Sequence, residues 1–263
     1  MRIPLYQLDA FTSETFGGNP AAVCPLENWL DDGLLQAIAG ENNLAETAFF
    51  VPDGDGFKLR WFTPTVEVQL CGHATLASAY VLYNFLNYEK ESIAFQTRSG
   101  RLEVARDGDR LVLDFPSLRP RNEQLPALVA DAMGILPQEL WGDDRAMAVL
   151  EDAVQVRDLR PNIAAIAALP IGSLIVTAPG FPGDCDFVSR YFVPKYGIDE
   201  DPVTGSAHCV LTPYWSGVLN KPKLFARQLS TRGGELWVED CGERVKLAGH
   251  CVPVIEGALT ISA

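Results

Sequence analysis

Metal-ligand patterns are what this sequence most clearly lacks. Its three histidines, His73, His208 and His250, stand far apart, and none of the six cysteines pairs as Cys-x-x-Cys. Zinc sites are built from such paired spacings, so no metal is expected. The cysteines (Cys24, Cys71, Cys185, Cys209, Cys241 and Cys251) read as reduced thiols, mainly core filler. Long apolar runs are also absent, and nothing approaches the roughly 20 residues of a membrane-spanning helix. The N-terminus, Met1-Arg2-Ile3-Pro4-Leu5-Tyr6, opens in strand-like sequence without a secretory signal pattern, and a cytoplasmic protein is expected. Basic stripes are missing: the formal net charge is −13. With nothing to offset phosphate repulsion, neither nucleic acid nor an anionic membrane is an expected partner. A small anionic substrate responds only to the local field and is not excluded. No Gly-x-Gly-x-x-Gly follows a strand and no Walker-type loop occurs, so nucleotide binding has no support.

What the chain does have is one design used twice. Leu70-Cys71-Gly72-His73-Ala74-Thr75 follows a β-like run and opens a helix reaching about Phe85 that is apolar nearly all round. Such a helix belongs inside a domain. Asp201-Pro202-Val203-Thr204-Gly205-Ser206 follows the apolar run Cys185 to Val193 and opens a second mostly apolar helix, to about Val218. Each first turn carries glycine and small polar residues. Its unpaired N–H groups and positive dipole end make a seat for a carboxylate or phosphate. Gly72 and Gly205 are half the chain length apart, which suggests two similar halves, each wrapped around one helix. A chain of 263 residues can fill the cores of two such domains.

Between these stretches the pattern reads as strands and turns. A first strand is expected over 3–11, a turn at Phe16-Gly17-Gly18-Asn19-Pro20, and a short strand over 21–24. Asp31 or Asp32 should cap a helix to about Gly40. Hairpins over 91–97, 101–106 and 110–115 imply antiparallel or mixed pairing. Pro116 to Pro126 is the candidate linker. A helix at about 126–133, strands near 146–158, a short helix from Pro161, a strand at 172–178 and four closing strands from 224 onward complete the order. Glu46, at the entrance to the apolar run Thr47-Ala48-Phe49-Phe50-Val51, has two readings. One is a solvated strand-end carboxylate. The other is a carboxylate against apolar walls, its pKa raised by partial burial and suited to exchanging protons with a carbon acid.

Six motifs occur in order: Gly18-Asn19-Pro20-Ala21-Ala22-Val23, Asn43-Leu44-Ala45-Glu46-Thr47, Arg60-Trp61-Phe62-Thr63-Pro64, Glu67 with Cys71-Gly72-His73-Ala74-Thr75, Asp201-Pro202-Val203-Thr204-Gly205-Ser206-Ala207, and Gln228-Leu229-Ser230-Thr231-Arg232-Gly233-Gly234. From residue 3 to about 257 the set resembles the phenazine-biosynthesis PhzF-like isomerase/epimerase family. The resemblance implies an α/β (α+β) chain of two similar diaminopimelate-epimerase-like domains. Each is a mixed, largely antiparallel, barrel-like sheet around a central helix, with the active site in the cleft between them. The expected division is 1–117 with core helix 72–86 and 118–263 with core helix 204–218, the last strand free to return to the first domain. It also implies a homodimer that needs no metal or organic cofactor.

By the same resemblance, the glutamate matching Glu46 moves a proton between carbons of a dihydro-hydroxyanthranilate. Residues matching Gly72, His73, Asp201, Gly205 and Ser206 line that site. The residue types suit the chemistry. N–H groups of Gly72, His73, Gly205 and Ser206 would hold the carboxylate of a small metabolite and favour an enolate-like transition state. Glu46 would carry the proton, with His73 and Asp201 orienting the substrate and tuning Glu46. Each residue also has a bland alternative: His73 as a packing residue, Asp201 as a turn former before Pro202, Ser206 as a first-turn residue. Cys71 leaves a thiol-based epimerase open. The second helix start offers no cysteine until Cys209, so a two-thiol racemase is disfavoured. A binding protein without catalysis on the same scaffold is the third reading.

Overall fold

The computed structural model describes residues 1–120, 128–142 and 144–261. Two compact units are distinguishable, residues 1–115 with 246–263, and residues 116–245. The N-terminal part of the first unit runs β1 (Arg2–Ala10), β2 (Asn19–Pro25), α1 (Asp32–Asn42), β3 (Glu46–Asp53), β4 (Gly56–Phe62), β5 (Glu67–Val68), α2 (Gly72–Asn84), β6 (Ser92–Thr97), β7 (Gly100–Asp107) and β8 (Arg110–Pro116). The chain then continues through α3 (Leu128–Met133), β9 (Glu139–Trp141), β10 (Arg145–Val149), α4 (Ala153–Asp158), α5 (Ile163–Ala168), β11 (Ser173–Pro179), β12 (Phe187–Val193), β13 (Ile198–Glu200), α6 (Gly205–Leu219), β14 (Lys223–Gln228) and β15 (Gly234–Asp240). It closes with β16 (Arg244–Gly249) and β17 (Cys251–Thr260).

The pairing pattern repeats. In the first unit β2 and β3 are parallel, β3 and β4 antiparallel, β4 and β6 parallel, and β6 and β7 antiparallel, with β5 antiparallel on β4. In the second, β10 to β11, β11 to β12, β12 to β14 and β14 to β15 follow the same series, with β13 antiparallel on β12. A parallel pair needs a crossover, and in each unit the second crossover contains the long apolar helix, α2 or α6. The two halves are thus the same mixed, mostly antiparallel design. In the first unit β1 lies between β2 and β17, both antiparallel to it, so the two ends of the chain build one ladder.

Burial explains the strand compositions. Alternate residues of β10, β11 and β12 (Ala146, Ala148, Leu174, Val176, Val188, Phe192) join one core with α3, α4 and α5. On β12, Phe187 stacks on Trp215 of α6 at 5.8 Å, and on β11 Thr177 Oγ1 accepts from Trp215 Nε1 at 2.9 Å. Covered on both sides, these strands read as continuous apolar runs. In the first unit, Ile3, Cys24, Phe49 and Phe62 pack under α1 with Leu35 and Ile38.

Every residue of α2 from His73 to Ala79 is buried, and the helix packs on β1, β2, β3 and β17. Its buried hydroxyls are satisfied locally, Thr75 Oγ1 donating to Cys71 O and Ser78 Oγ to Ala74 O. α6 contains Pro213, whose missing N–H would strand the carbonyl of Cys209. The N–H of Leu118 donates to that oxygen at 3.0 Å.

The turn before β2 does need glycine: Gly18 has φ +60°, and a Cβ there would lie 2.2 Å from Ala10 O. α1 is capped by Asp31, which accepts from Gly33 N. α2 ends at Asn84 rather than 86, and α6 runs Gly205–Leu219 with Thr204 as its N-cap. One expectation fails. Residues 146–158 are not all strand, because 153–158 form α4. Asp152 accepts from Gln155 N at 2.8 Å, and Gln155 Oε1 accepts from Glu151 N at 3.1 Å, a near capping box that outweighs the β-like alternation of Ala153 to Val156. Of the expected linker Pro116–Pro126 and the expected helix start at 126, residues 121–127 lie outside the described residues.

Candidate active site

Glu46 begins β3, opposite Ala21 on the parallel neighbour β2. Asn42 Nδ2 donates to Thr47 Oγ1 at 3.1 Å and so fixes the strand entrance. Cys71, Gly72 and His73 come from the start of α2, where Cys71 is an extended N-cap (φ −145°, ψ 107°) making no side-chain cap bond. The orphan N–H groups of that first turn are therefore not satisfied by their own N-cap side chain. The chain ahead of α2 is pinned by charge. Arg60 binds Glu67 through two bonds of 2.8 Å and Asp32 through a third of 2.8 Å, and Arg98 adds a 2.8 Å contact to Glu67. The Arg60 guanidinium also lies over Trp29 and Phe62. Glu67 is only 13% exposed, and a bidentate, partly buried pair of this kind holds geometry better than a surface ion pair does.

The strand entrance and the helix start bring three side chains together. His73 Nε2 lies 3.1 Å from Glu46 Oε2, and Cys71 Sγ lies 3.5 Å from His73 Nδ1 and 3.9 Å from Nε2. The side chains of His73 and Glu46 are 6% and 16% exposed. Oε2 is buried and, although at ion-pair distance from His73, has no donor aligned for a hydrogen bond. The carboxylate thus keeps an acceptor orbital uncommitted in a low-dielectric setting.

Burial works to lower the His73 pKa, but its close contacts with Cys71 and Glu46 carry it well above the ordinary value. Burial, then the charge of Glu46, push the Cys71 thiol up to about 11, against the pull of His73. The two shifts run in the direction of a proton kept on His73 and a neutral thiol on Cys71. The sequence shows no metal-ligand spacing, yet one ligand atom from each of Glu46, Cys71 and His73 lies within 4.8 Å of the others. Linear spacing could not reveal this, because the three come from two elements.

Asp201, Gly205 and Ser206 belong to the second unit. The Asp201 carboxylate accepts from the Thr204 hydroxyl, and its backbone N–H donates to Tyr191 O at 3.0 Å. Gln228, first residue of the last of the six motifs, organises this helix start. It is fully buried, accepts from Thr204 N at 2.9 Å and donates to Asp201 O at 2.7 Å and to Thr204 Oγ1. Ser230 Oγ adds a bond to Pro202 O at 2.8 Å. Gly205 is buried, and Ser206 O accepts from Arg145 at 3.1 Å. As at α2, the N-cap of α6 makes no side-chain cap bond to the first turn. His208, one turn in, is buried with Nδ1 2.8 Å from Thr204 O. Burial pushes its pKa down to about 4, as for a neutral histidine in the core.

The sequence matches the family described as phenazine biosynthesis-like protein (PhzC-PhzF) over residues 8–257. An uncharacterised isomerase of Pseudomonas aeruginosa is 50% identical over 263 residues, covering all of both chains. A crystal structure of a phenazine biosynthesis protein of the PhzF family from Enterococcus faecalis superposes with a TM-score of 0.96 at 43% identity, over 99% of this chain and all of that one. A hydroxyproline epimerase from Agrobacterium vitis (TM-score 0.62, 11% identity, 98% of this chain and 92% of that one) shares the fold alone. Matched along almost its whole length in both sequence and fold, the chain belongs to the PhzF-type phenazine-biosynthesis-like family.

Proposed function

We propose that the protein is a cofactor-independent isomerase that moves a proton between carbons of a small carboxylate-bearing metabolite, with Glu46 as general base and then acid. The observation that carries this reading is the buried, unaligned Oε2 of Glu46, held 3.1 Å from His73 at the start of α2. A base must keep a lone pair available, and a carboxylate closed into a hydrogen-bonded pair on both oxygens would not. His73 orients Glu46 and supplies positive charge beside it. N–H groups of Gly72 and His73 are oriented by the helix start to hold a substrate carboxylate. Withdrawing charge there favours the enolate-like state that forms as the adjacent carbon loses its proton. Asp201, Gly205 and Ser206 are proposed to bind substrate by analogy with the family, and a homodimer is proposed on the same ground.

The test is deuterium exchange in D2O against a panel of small amino, hydroxy and cyclic acids. Glu46→Gln should slow exchange of the responsive acid by about 10²- to 10⁴-fold, the usual worth of a general base. Exchange that persists at the wild-type rate in Glu46→Gln ends the proposal. A thiol-based epimerase is the second reading, favoured by Cys71 Sγ at 3.5 Å from His73 and opposed by a thiol raised to about 11. It requires Cys71→Ala to be inactive, whereas the Glu46 reading expects that variant to keep exchanging.

A further inference from the structure

We infer that Glu46, Cys71 and His73 form a binding site for one thiophilic divalent cation of the zinc class, and that such an ion shuts the site. Among the described residues this is the single group of three Cys, His or carboxylate side chains whose ligand atoms lie within 4.8 Å of one another. The donor set is one sulfur, one imidazole nitrogen and one carboxylate oxygen, which zinc accepts and which magnesium or calcium does not favour. A tetrahedral ion with ordinary bond lengths sets ligand atoms about 3.3 to 3.6 Å apart. His73 Nε2 already sits 3.1 Å from Glu46 Oε2 and 3.9 Å from Cys71 Sγ. Both sulfur edges must close, and because Sγ also lies 3.5 Å from Nδ1 the imidazole must turn to aim its ligating nitrogen between sulfur and oxygen; one ligand atom from each residue starts within 4.8 Å of the others.

Two further observations point to a ligand. Glu46 Oε2 is buried and accepts no aligned hydrogen bond, so it keeps a lone pair for an ion that takes the place of the proton on His73. Cys71 and His73 are likewise buried, at 6% and 5% exposure, so an ion bound there would be largely removed from water. The balance is simple. The cation replaces the thiol proton of Cys71 and the imidazolium proton of His73, and both protons leave to solvent. Carboxylate and thiolate then match the two positive charges, and the buried complex carries no net charge. Glu46 loses the lone pair that the proposed proton transfer uses.

Ion binding does not depend on the isomerase reading, whereas the shutdown rests on it. The experiment titrates Co2+ into the metal-free full-length protein and follows the thiolate-to-cobalt charge-transfer band, with Zn2+ as displacing ion. One ion per chain is expected. Cys71→Ser should lose the band, Cys209→Ser and Cys241→Ser should keep it, and Glu46→Gln and His73→Gln should each weaken binding by about tenfold or more. Circular dichroism checks each fold, and Glu46→Gln carries the test should Cys71→Ser fail to fold. No band, a band that survives Cys71→Ser, or one abolished by Cys241→Ser overturns the site. If an exchanging acid is found, saturating Zn2+ should stop its exchange, and indifference to Zn2+ overturns the shutdown. Ion binding with no exchange in any acid counts against the isomerase reading alone.

Discussion

Cys71 and His73 are separated by one residue, and each alters what the other can do. The sulfur is a poor nucleophile here, since burial and then the charge of Glu46 push the thiol up to about 11. Alkylation of Cys71 near neutral pH should therefore lag well behind that of the exposed Cys241. The Glu46 contribution has a definite sign. Glu46→Gln removes a negative charge, so the Cys71 titration should move down, while the larger burial effect remains. Iodoacetamide rates against pH, read at Cys71 by peptide mass mapping, measure the shift; coincident profiles in wild type and Glu46→Gln would disprove the coupling. The candidacy of Glu46 was legible because a lone carboxylate stands at the entrance to the apolar stretch Ala48-Phe49-Phe50-Val51. Its contact with His73 was not, because the two lie 27 positions apart on elements brought together by the packing of α2 against the paired strands β2 and β3.

At the scale of the element, α6 shows how a helix start is fixed from outside itself. Gln228, at the end of β14, accepts from the N–H of the N-cap Thr204 and donates to its hydroxyl, while the Thr204 side chain makes no cap bond to the first turn. Within the helix, His208 Nε2 is buried without a hydrogen bond, so protonation would place an uncompensated charge in the core. Its folded pKa of about 4 lies below the ordinary 6.5. The unfolded chain thus takes the proton first. Stability should be complete above about pH 6.5 and fall as the pH drops towards 4, by on the order of 3 kcal/mol. Urea unfolding of wild type and His208→Gln, at neutral pH and near about pH 4.5, checks this. Equal pH dependence in the two proteins would sink it. α4 carries the opposite lesson about legibility. Its signal, Asp152 followed three residues later by Gln155, is written in the sequence, but the alternation of Ala153 to Val156 imitates a strand.

For the whole molecule, the ladder β17–β1–β2 makes the chain ends part of one sheet. Met1 N donates to Ile261 O at 2.7 Å, and Ile261 N donates to Met1 O at 2.9 Å. Deleting the chain from Cys251 onward should leave β1 as a bare edge and abolish cooperative folding of the first unit. A circular permutant that joins the ends with a short glycine linker and opens at Gly108, an exposed hairpin turn, should instead melt cooperatively. Amide hydrogen exchange across β1 to β4 distinguishes the outcomes: protection retained after the deletion would contradict the ladder's importance. The sequence by itself determined the two buried helices, the turn at Gly18, the hairpins and the small polar helix starts. Each of these is set by spacing over a few residues, where propensity and periodicity act. Only the tertiary structure decided the parallel pairs, the reach of Gln228 to Thr204, the Arg60–Glu67 clamp and the meeting of Glu46, Cys71 and His73. Those depend on strand register and helix packing, through which a shift of one residue would turn every one of these side chains elsewhere.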